Sequence, residues 1–81
     1  MGRDHIEEKV NNFLIEEFEL ELEQLRPDAL MKEDLDIESL DFVDIAVIIE
    51  KEFKIKVTSE QMVKIKKLDD LYNFILEYQQ N

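Results

Sequence analysis

One glycine and one proline are all that punctuate the 81 residues of this chain. Sandwiches and barrels need turn residues about every ten positions, so an all-β architecture is excluded. Cysteine is absent, which removes disulfides, thiolate metal sites and a cysteine nucleophile. The chain must therefore hold together by packing helices. At 44% apolar residues it is too hydrophobic to stay disordered. A chain of this mass buries roughly 64% of its surface on folding, enough for one core and a single domain over residues 1–81. No apolar run nears the roughly 18 residues of a membrane span. The Met1-Gly2 start has Ile6 where a myristoylation pattern has Ser or Thr. The expectation is a cytoplasmic, all-α protein.

The apolar spacing predicts four helices. Asp4 and Glu7 make a variant capping box for the first. Ile6, Val10, Phe13, Leu14 and Phe18 then give it one apolar stripe. From Glu19 to Glu23 apolar and acidic residues alternate, a pattern that a strand and a fraying helix end both satisfy. Pro27 blocks continuous helix. Residues 19–38 therefore read as a long loop pinned by Leu22, Leu25, Leu30, Met31 and Leu35. Structureless connections above about 15 residues are uncommon and often functional.

A second helix starts at Ser39, with Val43, Ala46, Ile49 and Phe53 as its core face. Phe42, Ile45, Val47 and Ile48 add apolar side chains, so this helix is greasy most of the way round. Thr58 and Gln61 form a capping box for a short third helix reaching about Ile65. Leu68, Leu71, Tyr72, Ile75 and Leu76 make the stripe of the last. The fold expected is a small four-helix bundle with a long first loop and a short third helix.

The formal charge of −11 is unevenly spread. Residues 33–53 hold eight acids and one lysine, whereas residues 54–67 hold five lysines and one Glu. The acidic balance argues against nucleic acid, whose phosphates it repels, and favours basic protein partners. Self-repulsion also favours a monomer. His5 is alone and reads as a surface residue. Asp34, Asp36 and Glu38 alternate like the opening of a calcium loop, but Ser39 and Ile45 stand where that loop needs Gly and Glu. No Gly-rich phosphate cradle, nucleophile elbow or His-Glu-x-x-His is present. Neither a metal site nor a catalytic residue is expected, and the chain does not read as an enzyme.

Ser39 precedes a helix, and its simplest role is an N-cap. The string Met31-Lys32-Glu33-Asp34-Leu35-Asp36-Ile37-Glu38-Ser39-Leu40-Asp41 resembles the phosphopantetheine attachment segment of acyl carrier proteins. That family shows a large apolar residue, an acidic pair and Leu, then Gly-x-Asp, the modified Ser and Leu. Similarity continues through Val43-Asp44-Ile45, Glu50-Lys51-Glu52-Phe53 and Ile55-Lys56-Val57 to the last helix. Glu38 replaces the usual Asp, Asp36 the usual Gly, and Thr58 stands where Pro is frequent; Lys51 interrupts an acidic run.

The resemblance implies that a phosphopantetheinyl transferase moves 4'-phosphopantetheine from coenzyme A to the Ser39 hydroxyl. The chain would then hold acyl intermediates as thioesters for fatty acid or polyketide-like biosynthesis. Its partners would be acyl-loading, synthase and acyltransferase enzymes with basic docking patches. Asp41, Asp44, Glu50 and Glu52 would meet those patches, with Val47 as an apolar contact. Val43, Ala46, Ile49, Ile65, Leu71 and Ile75 would line an acyl pocket, or simply form packed core, and Phe42 would restrict that pocket. Two alternatives remain at this level: a specialised carrier of an amino acid or aryl cargo, and an unmodified acidic adaptor in which Ser39 only caps.

Overall fold

The computed structural model describes residues 3–80; Met1, Gly2 and Asn81, with the N-terminal lipidation pattern weighed above, lie outside the described residues. Among these residues lie four α-helices, α1 (Arg3–Phe18), α2 (Ser39–Phe53), α3 (Ser59–Val63) and α4 (Leu68–Gln80), and no strand. The all-α bundle with a short third helix is as expected. α1 is already helical at Arg3, so Glu7 does not cap it. Its carboxylate instead takes the Arg3 guanidinium one turn back, at 2.9 Å.

α1 packs mainly on α4, and α2 on α3. The α1 stripe of Ile6, Val10, Phe13 and Leu14 is buried, and Leu68, Leu71, Tyr72 and Ile75 of α4 close the same core. Tyr72 buries its ring and donates its hydroxyl to Asn11 on α1, so the one phenol in the core is satisfied. Burial holds that hydroxyl protonated and pushes its pKa up to about 12, with Glu7 adding to the effect. Arg3 lies over the Tyr72 ring, 5.3 Å from its centroid, and pairs with Asp69 of α4 as well as Glu7.

The 19–38 connection is ordered by its own chemistry. Glu19 takes a left-handed backbone (φ 55°) just past the end of α1. A single 3-10 turn over Leu22–Gln24 follows. Leu25, Ala29, Met31, Leu35 and Ile37 then bury their side chains. Leu22 corrects the expectation: it is 67% exposed, because the 3-10 turn points it away from the core that Leu25 enters. The loop is also stitched to the α3–α4 connection. Leu68 N–H donates to the Ala29 carbonyl at 2.9 Å, and Met31 N–H to the Lys66 carbonyl at 2.8 Å.

On α2 the expected core residues Ala46, Ile49 and Phe53 are buried, and Val43 is a second correction. Phe42, Ile45, Ala46, Ile49 and Phe53 are buried, whereas Val43 is 53% exposed. Both sets repeat at helical spacing, so periodicity does not choose between them. Phe42 removes more apolar area from water than Val43, and that difference decides the rotation. In consequence Leu40, Val43 and Val47 form an exposed apolar stripe along α2. At the start of α3 the expected capping box is present. Thr58 N–H donates to Gln61 Oε1 at 2.9 Å, and Gln61 N–H to Thr58 Oγ1 at 3.3 Å.

Candidate functional site

The approach to α2 fixes what Ser39 can do. Asp36 adopts φ 55°, the left-handed region that Gly enters freely and Asp tolerates better than most residues. Ile37 turns inward and is buried. Glu38, extended at φ −92° and ψ 170°, occupies the N-cap, and its N–H donates to Asp41 Oδ2 at 3.0 Å. Ser39 is therefore the first residue within the helix and not its cap, a correction to the simplest sequence reading. Glu38 takes that place because its extended backbone leads into the helix and Asp41 closes the box behind it. The Ser39 side chain is exposed and makes no hydrogen bond among the described residues, so its hydroxyl is left for other chemistry.

Beside Ser39 opens a cavity of about 430 Å³ between α2 and the α3 side of the bundle. Phe42, Val43, Ala46 and Val47 form one apolar wall, and Val57, Val63 and Ile65 the other. Lys32, Glu33, Glu50 and Lys66 supply its charged lining. A helix start beside an apolar cleft suits an anionic link with an apolar chain beyond it, since free N–H groups and the positive dipole end favour the anion.

A family model described as a phosphopantetheine attachment site matches residues 8–75. Among curated relatives, an "Acyl carrier protein" of Rickettsia bellii (strain RML369-C) is 39% identical over 75 residues. That match covers 93% of this chain and 87% of the relative. Another of the same description, from Petrotoga mobilis (strain DSM 10674 / SJ95), is 30% identical over 77 residues, 95% of this chain and 91% of the relative. The chain belongs to the acyl carrier protein family.

As an acyl carrier protein it carries acyl groups on a covalently attached 4'-phosphopantetheine. Members of this family are carriers and not enzymes. The residues present fit that group: an exposed serine with a free hydroxyl, at a helix start, opening onto an apolar-walled cavity. The structure brings Ser39, Val43, Ala46, Val47, Glu50 and Ile65 to the cavity, all singled out from the sequence. Phe42 is part of its wall. Ile49, Leu71 and Ile75 do not reach it; they are fully buried in the bundle core.

The anticipated docking residues separate. Asp44 and Val47 are exposed on α2, and Val47, at 49%, also lines the cavity. The Asp41 carboxylate is engaged in the cap. Glu52 lies on the opposite side, lining a shallow groove with Lys9, Glu16 and Ile48 near α1. Sequence reasoning missed Leu30, Lys32, Glu33, Val57, Val63 and Lys66 as cavity residues. The one signal for Lys66 was the switch to positive charge after residue 53. Among the described residues, no helix is long and apolar enough to cross a membrane.

Proposed function

We propose that Ser39 is the residue that carries the 4'-phosphopantetheine arm, in a single carrier domain over residues 1–81 serving fatty acid or related, polyketide-like biosynthesis. The observation that carries this reading is the free Ser39 hydroxyl at the first turn of α2, beside an apolar cavity. Bound at Ser39, the arm supplies the thiol for a thioester, which a chain without cysteine lacks. The protein's own tasks are positional. α2 holds the attachment point rigidly, and its first-turn N–H groups favour the phosphate. Val43, Ala46, Val47 and Ile65 offer apolar surface to a cargo.

Asp44, Val47 and Glu50, with Asp41 and Glu52 farther round the helix, meet basic patches on the transferase, loading, synthase and acyltransferase partners. Such rim charges act mostly on association rate and salt dependence. On this reading the chain works as a cytoplasmic monomer. The adaptor alternative gave Ser39 only a capping job, and the N-cap position belongs to Glu38.

Incubation with coenzyme A and a broadly tolerant phosphopantetheinyl transferase, followed by intact mass spectrometry, tests the assignment. The wild type should gain one phosphopantetheine and Ser39→Ala none. Because no cap is lost, Ser39→Ala should keep its stability within about 0.5 kcal/mol. Modification of the Ala variant, or none of a folded wild type with its cognate transferase, would sink the reading.

A further inference from the structure

Lys32 and Lys66 come from distant parts of the chain and line the same cavity as Ser39. The backbone draws them together. Met31 N–H donates to the Lys66 carbonyl at 2.8 Å, and Leu30 bridges Lys67 in antiparallel fashion. The loop then returns to this point, since Ile37 N–H donates to the Met31 carbonyl at 2.9 Å, two residues before Ser39. Both lysines are exposed, and neither is in an ion pair among the described residues, where the pairs formed both use Arg3. The chain has 21 acids against 10 bases, and Glu33 lines the same cavity while Glu38 caps the helix beside Ser39. Those carboxylates oppose any anion placed on Ser39, so a phosphate there gains from nearby ammonium groups.

We propose that Lys32 and Lys66 form a phosphodiester-binding site that holds the phosphate of the arm at the cavity rim. This rests on the assignment of the arm to Ser39. The ammonium groups donate charge-assisted hydrogen bonds to the phosphate oxygens, each acting as a point charge rather than a bidentate fork. Held this way, the first bonds of the arm lie against the Val43 side of α2 and not free in solvent. The two lysines are positioning residues and perform no chemistry on the cargo.

The test compares apo and holo protein, the holo form verified by intact mass, with lysine side chains labelled with carbon-13. The titration midpoints of Lys32 and Lys66 should each rise by about half a pH unit on attachment, as expected of one added negative charge a few ångströms away. Lys54 and Lys56, at the far end of α2, should not move. The rise should fall to less than half at about 1 M salt, where the screening length is about 3 Å. In holo Lys32→Gln/Lys66→Gln the phosphorus-31 resonance should move part of the way toward its position in the urea-unfolded holo chain, since the first-turn N–H groups of α2 remain. Both substitutions are at exposed positions and should leave the fold intact.

If the arm is present but the Lys32 and Lys66 midpoints match their apo values, the lysine site is overturned and the Ser39 assignment stands. A phosphorus resonance unmoved by the double substitution overturns it equally. If mass shows no arm on the wild type, the assignment and the lysine site fall together.

Discussion

Replacing Phe42 and its neighbour Val43 by Ala, one at a time, tests the rotation of α2. Phe42 is only 8% exposed. Truncating a buried Phe costs about 3–5 kcal/mol, and because Phe42 already borders a cavity the lower end applies, about 3 kcal/mol. Val43 is 53% exposed. Its two lost carbons are worth about 0.8 kcal/mol each when buried, and half burial reduces the total to about 0.8 kcal/mol. The better helix propensity of Ala returns about 0.5 kcal/mol, leaving a net cost of about 0.3 kcal/mol. The two variants should therefore differ by roughly 2.5 kcal/mol or more. With a urea slope of about 1 kcal/mol/M, their unfolding midpoints should stand at least 2 M apart. In thermal unfolding the gap should exceed about 10 °C. Far-UV circular dichroism of wild type and both variants, across urea and temperature, reads both numbers. Equal midpoints, or a Val43→Ala variant less stable than Phe42→Ala, would refute the inward placement of Phe42. The apolar wall of the Ser39 cavity would then need redrawing.

Two further outcomes follow from backbone and burial. Asp36 holds φ 55°, so Asp36→Gly should stabilise by a few tenths to about 1 kcal/mol, the relief of a left-handed residue partly offset by glycine's larger entropy loss. Asp36→Val should destabilise, and a melting temperature for the Val variant at or above wild type would contradict that backbone. Tyr72 is raised to about 12 in the fold by burial, so its protonated state contributes stability fully present below pH 10 and lost as pH rises from there through 12. In a Tyr78→Phe background, absorbance at 295 nm should show Tyr72 titrating near 12, with a return to about 10 in urea; an unshifted folded midpoint contradicts its burial.

How much was legible divides along the range of the interactions. The number of helices, their approximate bounds and the short third helix could be read directly, because helical spacing and caps such as Thr58–Gln61 involve residues three or four apart. The attachment segment around Ser39 was legible for the same reason: it is one continuous string. The N-cap was missed by one residue, because Glu38 and Ser39 are both able to cap and only the extended backbone at Glu38 distinguishes them.

Tertiary packing decided the remainder. A helix apolar nearly all round has no single stripe, so the inward face of α2 was settled by which side chains the rest of the bundle could cover. Leu22 lies in a 3-10 turn and is exposed, whereas Leu25, just past that turn, is buried. The approach of Lys66 to Lys32 and Ser39 depends on backbone hydrogen bonds between segments more than thirty residues apart. Local spacing carries no record of such contacts. The sequence by itself determined the helices and the serine that starts α2; only the folded chain decided which walls surround that serine and which charges face it, because those depend on groups brought together through space and not along the backbone.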